Sequence, residues 1–549
     1  MIMKTLITTL NAKYIHTALA IRLLYVASYP KHDVALKEYT IKQKNEDIVQ
    51  DILSQQVDAV AFSTYIWNVE PIKDICKQLK QAKPEIIIML GGPEVSYEPE
   101  HFLTHFDIDY VLSGEGEITF EMLLEALEKK EAIAIPGVSY QGHIATEIPQ
   151  TPLSYIETLP SPYILKQDED KLAHRILYFE TSRGCPFLCQ YCLSSLEKGM
   201  RFYSHDYLAS QLDLIFASPA RIIKVLDRSF NAKMDHALFV LDYIFKHHGP
   251  HQQFQFEINA DVFPQKIIDF INEKAPKGLL RFEIGIQSTY EPTNRAVKRI
   301  QNFERLSEVI KALSEGGKCD LHLDLIAGLP YETYDRFAQS FDDVFAFRAK
   351  ELQLGFLKML RGTGLRNQAD DYGYTYQFEA PYEMRQNDWI SEAEIQEVHL
   401  AEEMLEKYWN SGRFKDSMNA IMDEVPSAFA FFHDLGTYYK THHYPFHGYQ
   451  PELLYQILDD YTNRRYHDLL IIDYLASCKT RMKRWYEPTL SHDERHAVIE
   501  ALGEAYQLNR DELYRYARIE KLSDRYVIAI YKNYQCTLTS YPLNLKTTA

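Results

Sequence analysis

Strand-like and helix-like runs alternate through the first two thirds of the chain, and this alternation restricts its fold more than any other feature. Five strand-like runs in the first 130 residues are interleaved with segments of helical apolar spacing. These runs read "MKTLITTL", "DVALKEYT", "DAVAFSTYI", "EIIIMLGGP" and "DYVLSGEGE". The pattern predicts an α/β fold whose first domain, residues 1–147, is a doubly wound parallel sheet with helices on both faces.

The carboxyl ends of these strands are the expected binding edge, because ligands of open α/β sheets sit beyond them. The segments at those ends are Asn11 to Lys13, Ser63 to Tyr65, Gly91 to Glu94 and Gly114 to Glu117. Glycines at two of the ends would let a large flat ligand meet the backbone directly. They would equally serve tight turns between strand and helix, and the spacing leaves both interpretations open.

A second alternating series follows a proline-containing stretch, residues 148–174, which we interpret as a linker that wraps around the protein. Six further βα units lie within residues 175–365 and lack a Rossmann phosphate fingerprint, so they predict a partial, TIM-like (β/α)6 barrel. Barrel active sites lie at the carboxyl ends of the strands. The residues at those ends include Cys185, Asp227, Asn231, Glu257, Asn259, Glu283, Gln287, Ser288, Asp324, Gly328 and Lys358.

Three of the seven cysteines, Cys185, Cys189 and Cys192, lie within eight positions after the first barrel strand. Four thiolates would complete a structural zinc site or saturate a cubane cluster, whereas three leave one metal corner free. A zinc knuckle is the competing interpretation, but it needs a fourth Cys or His at paired spacing, and none lies near in the sequence. The other cysteines stand singly and are expected to be packing residues: Cys76, Cys319, Cys478 and Cys536.

Composition restricts the location and the partners of the chain. No signal peptide precedes the first strand and no apolar run reaches the roughly 20 residues of a membrane span, which predicts a cytoplasmic protein. In a reducing compartment, clustered thiols indicate a metal or catalytic site rather than disulfides. The net charge of −18 argues against broad capture of nucleic acid, without excluding a local basic face.

The spacing C-x-x-x-C-x-x-C after the first strand of a half-barrel resembles the radical S-adenosylmethionine superfamily. The preceding α/β domain, with "GGPEV" and "GEGE", is similar to the cobalamin-binding subclass, and the resemblance covers about residues 1–365. It implies that the three cysteines hold three irons of a 4Fe–4S cluster. The amino and carboxylate groups of S-adenosylmethionine would chelate the fourth iron, so the free corner would belong to the co-substrate.

The resemblance also implies which residues bind the cofactors. For S-adenosylmethionine they are Tyr191, at the aromatic position beside the cluster, and Asp227, Glu257, Gln287, Ser288 and Gly328. For cobalamin they are Ser63, Gly91, Gly92, Gly114, Glu115 and Gly116. A structural role is an open alternative for Glu257, Gln287 and Ser288, and Asp227 could instead cap a turn.

One departure concerns cobalt ligation. The D-x-H-x-x-G motif that supplies a histidine to cobalt in many cobalamin proteins is absent after the first strand, where the chain reads "NAKYIHTALA". His16 falls in a helical pattern and is expected to be a surface or core histidine. The sequence therefore fits cobalamin held without a lower protein ligand, or a domain that has lost cobalamin.

Residues 366–549 are rich in tyrosine and predict a mostly helical C-terminal domain. The stretch "SEAEIQEVHLAEEMLEKYWNSG" has a serine start, an acidic first turn and a glycine stop. The region resembles the uncharacterised domain that accompanies some cobalamin-binding radical enzymes. We expect it to cap the barrel mouth and to select the substrate.

The resemblance implies a metal-binding, iron–sulfur transferase in which the 4Fe–4S cluster cleaves S-adenosylmethionine to a 5′-deoxyadenosyl radical. Methylcobalamin would then methylate an unactivated carbon of a substrate that the sequence does not identify. Cobalamin-dependent rearrangement or cyclisation, and a non-catalytic cobalamin or redox sensor, remain alternatives. A tRNA methylthiotransferase is disfavoured because the small β-barrel RNA-binding domain of those enzymes has no counterpart. The expected partner is a reducing protein such as flavodoxin or ferredoxin, with no membrane and no nucleic acid.

Overall fold

The structure is a computed structural model that describes residues 3–12, 16–168, 171–197, 199–477, 483–506, 509–532 and 535–543. The chain divides into two compact units. The first comprises Met1–Ser340 with Leu354–Glu392, and the second comprises Phe341–Gln353 with Ala393–Ala549. Across the described ranges, no helix combines the length and the apolarity that crossing a membrane requires.

The first unit begins with a six-stranded sheet. Its strands are β1 (Thr5–Asn11), β2 (Val34–Thr40), β3 (Ala59–Ser63), β4 (Ile87–Gly91), β5 (Tyr110–Leu112) and β6 (Val138–Tyr140). The helices between them are α1 (Leu19–Ser28), α2 (Asn45–Ser54), α3 (Val69–Ala82), α4 (Pro99–His105) and α5 (Gly116–Lys129). The strand order is β2-β1-β3-β4-β5-β6, and every pair is parallel except β5 with β6.

This sheet confirms the predicted doubly wound fold and adds one antiparallel edge strand. All seven residues of β1 are buried, because helices cover both faces of a parallel sheet of this kind. The strand order reverses between β1 and β3. The carboxyl ends of those two strands therefore form the switch point at which open α/β sheets bind ligands.

The predicted linker contains the short helix α6 (Leu153–Ile156) and is fixed to the first sheet by a buried ion pair. Asp168 accepts two hydrogen bonds of 2.7 Å from the guanidinium of Arg22, which is fully buried on α1. Glu38 of β2 pairs with Arg22 at 3.3 Å and with Arg175 at 2.9 Å. The linker therefore packs as part of the folded protein, while its bounds at 148 and 174 stay predictions.

The second sheet also has six strands and is accompanied by a small antiparallel pair. The strands are β7 (Ile176–Phe179), β8 (Ser182–Arg183), β9 (Arg201–Phe202), β10 (Ile222–Val225), β11 (Gln253–Ile258), β12 (Leu280–Gln287), β13 (Cys319–Ala327) and β14 (Glu351–Phe356). The sheet order is β14-β13-β12-β11-β10-β7, and β8 pairs with β9. The helices are α7 (His205–Ala217), α8 (Met234–His247), α9 (Gln265–Lys274), α10 (Glu291–Ala296), α11 (Phe303–Gly316) and α12 (Tyr334–Phe345).

The two faces of this sheet differ in polarity, as the period of two residues in a strand requires. On β12, buried apolar residues alternate strictly with partly exposed residues. Its partly exposed face carries Arg281, Glu283, Gly285 and Gln287, and Glu283 lies in register with Glu257 of β11. One face of the sheet therefore packs on helices, and the other is the polar interior of a partial barrel, as predicted.

The chain after β14 returns to the first unit, and we call residues 357–390 the closing segment. It contains the helix α13 (Gly364–Asn367) and the strands β15 (Thr375–Tyr376) and β16 (Met384–Gln386), which pair antiparallel. The sequence pattern predicts that these residues belong to the barrel or to the helical domain. The structure instead gives them contacts around the carboxyl ends of both sheets, described below.

The second unit is mostly helical, as predicted, but it ends in an antiparallel sheet that the sequence analysis missed. Its helices after the closing segment are α14 (Glu392–Leu405), α15 (Lys415–Glu424), α16 (Ala428–Thr441), α17 (Pro451–Tyr461), α18 (His467–Ser477), α19 (His492–Tyr506) and α20 (Arg510–Tyr516). The strands are β17 (Ala517–Lys521), β18 (Arg525–Lys532) and β19 (Gln535–Pro542), in that order. The sequence of β18, "RYVIAIYK", could have revealed this sheet, because β-branched and aromatic residues favour strands.

The buried pair of Arg22 and Asp168 gives the first prediction. Replacing Arg22 with methionine leaves the buried Asp168 without its counter-charge and Glu38 with Arg175 alone, which should lower the free energy of unfolding by about 3 to 5 kcal/mol. Burial alone would raise the pKa of Asp168, but the hydrogen bonds and charge of Arg22 lower it. The stabilisation is therefore present at neutral pH and is lost as acid brings the pH through that lowered pKa.

Denaturant unfolding of the two proteins at neutral pH measures this difference. The matched control is Lys37→Met, which breaks the exposed pair with Asp51 on β2's neighbouring helix and should cost about 1 kcal/mol or less. Equal losses in the two variants would contradict the structural role of Arg22.

Candidate active site

The three clustered cysteines lie on the loop between β8 and β9, at the carboxyl end of the second sheet. Gly184 has φ of +90°, and a Cβ there would stand 2.1 Å from the carbonyl oxygen of Gly199, so only glycine permits this turn. Within the described residues, no three His, Cys, Asp or Glu side chains already stand in metal-coordinating geometry.

Arg299 connects the cysteine loop to the end of β12, and the sequence analysis missed it. Its Nη1 lies 3.9 Å from Sγ of Cys189 and 3.4 Å from the hydroxyl of Tyr191, and its Nη2 donates to the carbonyl of Gly285. Burial raises the pKa of Tyr191, and the charge of Arg299 opposes that shift. Tyr191 thus lies beside Cys189, in the region where the resemblance places it.

Asp227, predicted to bind S-adenosylmethionine, has structural partners in this structure. Its carboxylate is buried and accepts hydrogen bonds from the backbone N–H and hydroxyl of Thr181 and from the hydroxyl of Ser182. Burial raises the pKa of Asp227 to about 6, and these hydrogen bonds oppose the shift. The carboxylate fixes the turn that leads into the cysteine loop, and its contact with S-adenosylmethionine stays a prediction.

Glu257 lies in a charged group on the inner face of the partial barrel. Lys224 of β10 stands 2.8 Å from Glu283 and 3.9 Å from Glu257, and Arg228 stands 3.8 Å from Glu257. The side chain of Arg228 is 57% exposed, although it follows the buried Asp227. Burial raises the pKa of Glu257, while the two cations oppose that shift. These separations leave Arg228 and Glu257 able to bind further polar groups.

Gln287 and Ser288 lie where β12 and β13 shift register. Gln287 has φ of +69°, which L-residues rarely adopt, and its buried Oε1 has no hydrogen-bond partner in the described chain. That oxygen can accept a donor from a ligand. Ser288 is fully buried and donates to Glu332 at 2.7 Å, so its partner is a side chain of the protein.

The glycines predicted to bind cobalamin have packing functions of their own. A Cβ on Gly92 would stand 2.6 Å from the carbonyl of Thr64, and one on Gly114 would stand 2.5 Å from the carbonyl of Pro149. Gly91 and Gly116 meet only ordinary or flexible neighbours at 3.0 Å or more. Ser63 is buried, and its carbonyl accepts from Thr9 and Asn68. The glycines are therefore compatible both with tight turns between strand and helix and with close approach of a flat ligand. Their contact with cobalamin stays a prediction.

Glu115 belongs to a buried ionic cluster that joins the two sheets, which we call the Arg183 cluster. Arg183 lies 3.0 Å from Glu115, 2.8 Å from Glu117 and 2.8 Å from Glu180, and its side chain is 11% exposed. Arg201 also pairs with Glu115. Because Arg183 precedes the Gly184 turn, these ion pairs connect the loop after β5 directly to the cysteine loop.

Other residues at the strand ends of the two sheets also lie close to one another. Burial raises the pKa of Tyr97, which follows β4, to about 12, and the negative charges of Glu197 and Cys192 add to the shift. Tyr65, which follows β3, stacks on Trp67 with 4.4 Å between the ring centroids. Burial raises the pKa of Tyr65, and the charge of Arg228 opposes that shift. The carboxyl ends of both sheets therefore meet in one region.

His16 follows β1 and lies in an isolated β-bridge, not in the helix that its sequence pattern predicted. Its backbone forms a parallel bridge with Ile176 of β7, and its ring stacks on Tyr178 at 4.4 Å. The side chain is buried, so His16 is a core histidine, in keeping with one of the two roles predicted for it. It also covers the edge strand of the partial barrel.

The closing segment contacts the cobalamin-like domain, the cysteine loop and the end of β13. Gly328, predicted to bind S-adenosylmethionine, packs against this segment, because a Cβ there would stand 2.7 Å from the sulfur of Met384. The hydrogen bonds of the segment are Tyr382 OH to Glu94 Oε1 at 2.6 Å, Leu365 N to Gln190 O at 2.9 Å, and Tyr374 OH to Gly328 O at 2.8 Å.

These features fit the cofactors that the resemblance implies. Three thiols on one glycine-shaped loop, with Arg299 beside them, suit an iron–sulfur cluster, whose charge a guanidinium stabilises. The Tyr65 and Trp67 stack and the nearby turns suit a flat macrocycle held by packing, while the ring of His16 stacks on Tyr178. The unpartnered Oε1 of Gln287 suits a polar ligand such as S-adenosylmethionine.

Family comparisons agree with this geometry. The B12 binding domain matches residues 5–124, the radical SAM superfamily matches residues 179–344, and a protein family of unknown function, DUF4080, matches residues 370–535. The chain thus combines a B12 binding domain with a radical SAM domain and is homologous to cobalamin-dependent radical S-adenosylmethionine methyltransferases. Its cofactors are a 4Fe–4S cluster, S-adenosylmethionine and cobalamin.

Individual relatives support the same family. An uncharacterized methyltransferase of Pyrococcus horikoshii is 27% identical over 59% of this chain and 74% of its own length. The cobalamin-dependent radical SAM methyltransferase TokK of Streptomyces tokunonensis is 27% identical over 52% of this chain but only 44% of its own length. The structure of the cobalamin-dependent radical enzyme OxsB has a TM-score of 0.60 at 14% identity, over 92% of this chain and 75% of OxsB, and supports the fold.

The three loop cysteines give the second prediction. If they are the cluster ligands, anaerobically reconstituted protein should hold about four irons and four sulfides, and the triple alanine variant of Cys185, Cys189 and Cys192 should hold almost none. Iron and sulfide assays on the purified proteins measure this.

A triple alanine variant of Cys76, Cys319 and Cys536 is the matched control, because it removes the same number of thiols at scattered positions. It should retain the wild-type iron content. Cys478 lies outside the described residues and is left unchanged. Equal iron loss in both variants would show that the loop cysteines are not specific ligands.

Proposed function

We propose that this enzyme transfers a methyl group to an unactivated carbon of its substrate. The observation that supports this is the Arg183 cluster, which joins the loop after β5 to the cysteine loop. Transfer of a methyl group to a short-lived carbon radical requires the donor within near-contact distance, because even about 1 Å of misplacement is costly. A shared region between the two cofactor domains meets that requirement.

The cofactors would supply the radical and the methyl group, and the side chains of the protein would supply position and exclusion of water. The Arg183 cluster would hold the cysteine loop and the cobalamin domain at a fixed separation. The closing segment would cover the region, since it bonds to Glu94, Gln190 and Gly328. Excluding water protects a radical from side reactions.

The inner face of the partial barrel would orient the reacting groups. Lys224, Arg228, Glu257 and Glu283 offer both signs of charge within one layer of the barrel. Such pairs bind a zwitterionic or polar substrate more readily than a purely apolar one, because each charge would otherwise lose hydration uncompensated.

Methyl transfer gives the third prediction. With S-adenosylmethionine deuterated in its methyl group, a reductant and fractionated small metabolites, the holoenzyme should form 5′-deoxyadenosine and S-adenosylhomocysteine together with one product that carries the label. Mass spectrometry of the three products measures this.

The triple alanine variant of Cys185, Cys189 and Cys192 is the control and should form neither 5′-deoxyadenosine nor labelled product. Substrate-dependent 5′-deoxyadenosine without label in any product would contradict methylation and would indicate rearrangement or cyclisation instead.

A further inference from the structure

Three large apolar side chains are exposed around the cysteine loop. Leu188 is 62% exposed, Val262 is 49% exposed and Ile300 is 83% exposed. Single exposed apolar residues are ordinary on a protein surface, whereas apolar residues that gather at one place indicate an interaction site. Backbone hydrogen bonds near these three residues show whether they are isolated or lie close to one another.

Hydrogen bonds attach the chain next to Leu188 and next to Val262 to the segment that follows α10, residues 297–302, which contains Ile300. The backbone N–H of Gln190, two positions after Leu188, donates to the carbonyl of Val297 at 2.9 Å. The backbone N–H of Asn302 donates to the carboxylate of Asp261, the neighbour of Val262, at 3.0 Å. Ile300 lies between these two attachment points. We call Leu188, Val262 and Ile300, with Lys298, the cluster-side patch.

The charge of this patch differs from that of the chain as a whole. Lys298 is exposed and makes no ion pair in the described chain, and Arg299 follows it. The nearby Arg295 is already paired with Glu291. The full chain carries a net charge of −18, so an acidic protein is repelled by the surface as a whole. A basic and apolar patch is therefore where an acidic partner can approach.

The patch also lies next to a cluster ligand. Arg299 has its backbone between Lys298 and Ile300, and its side chain reaches Sγ of Cys189 at 3.9 Å. Leu188 is the direct neighbour of Cys189 in the chain. A redox protein seated on this patch would therefore lie close to the cluster, which matters because electron transfer slows steeply with distance.

We propose that the cluster-side patch docks the protein that reduces the 4Fe–4S cluster, a small acidic electron carrier of the flavodoxin type. One electron passes from the reduced flavin to the oxidised cluster, so the carrier is oxidised by one electron and the cluster is reduced by one. The proposal rests on the family's need for a reductant and on the cluster assigned above, and it does not depend on methyl transfer. It assigns the docking surface of the reducing protein, which the sequence alone did not identify.

Anaerobic stopped-flow spectroscopy of the reconstituted holoenzyme gives the fourth prediction. With an acidic flavodoxin hydroquinone as donor at low salt, Lys298→Glu and Ile300→Ser should each slow second-order cluster reduction by about tenfold. The loss in Lys298→Glu should shrink as salt rises, because salt screens surface charge, whereas the loss in Ile300→Ser should persist. With dithionite as a small donor, Ile300→Ser should match the wild type.

Lys77→Glu is the matched control, since Lys77 is an exposed lysine on α3 and its reversal makes the same change in net charge. It should leave the flavodoxin rate within twofold of wild type. Unchanged flavodoxin rates in both patch variants, or a loss as large in Lys77→Glu as in Lys298→Glu, would overturn the proposal. So would a parallel loss of dithionite reduction in Ile300→Ser, which would indicate damage to the cluster. Because the assay follows cluster absorbance, a failure of methyl transfer leaves its outcome unaffected.

Discussion

The ion pairs of Arg183 are the interaction on which the active site depends. A single guanidinium, 11% exposed, lies between Glu115 and Glu117 of the cobalamin domain and Glu180 at the end of β7. Removing one partner of such a buried cluster leaves charges without compensation, which is far more costly than breaking a surface pair. The cluster therefore fixes the relative position of the two sheets, and that position sets where the cofactors can meet.

Three further contacts hold the same arrangement. The backbone of His16 covers the edge strand β7, the Arg22 and Asp168 pair holds the linker to the first sheet, and the closing segment contacts both domains. Each contact joins parts of the chain that are distant in sequence. A site at the meeting point of two sheets needs such connections, because neither sheet positions its neighbour by itself.

Sequence periodicity predicted both sheets, because each strand-like run carries its own signal in side-chain alternation. It also predicted the cysteine loop, whose spacing is local. It did not reveal Arg183, Arg228 or Arg299, since what distinguishes these arginines is their long-range partners. The adjacency of Arg183 to the Gly184 turn and of Arg228 to Asp227 was visible, but no local pattern tells a buried arginine from an exposed one. The β17–β19 sheet was missed because helical periodicity dominates the region before it.

The proposed methyl transfer requires both cofactors to open onto one region between the two sheets. Pulsed electron paramagnetic resonance on holoenzyme that holds cob(II)alamin and a reduced 4Fe–4S cluster tests this most directly, because both centres are paramagnetic and their dipolar coupling reports their separation. We expect a resolved coupling between the two signals, which weakens or broadens in an Arg183→Ala variant that still binds both cofactors. Two uncoupled signals in the wild type, each identical to that of protein holding one centre alone, would contradict it.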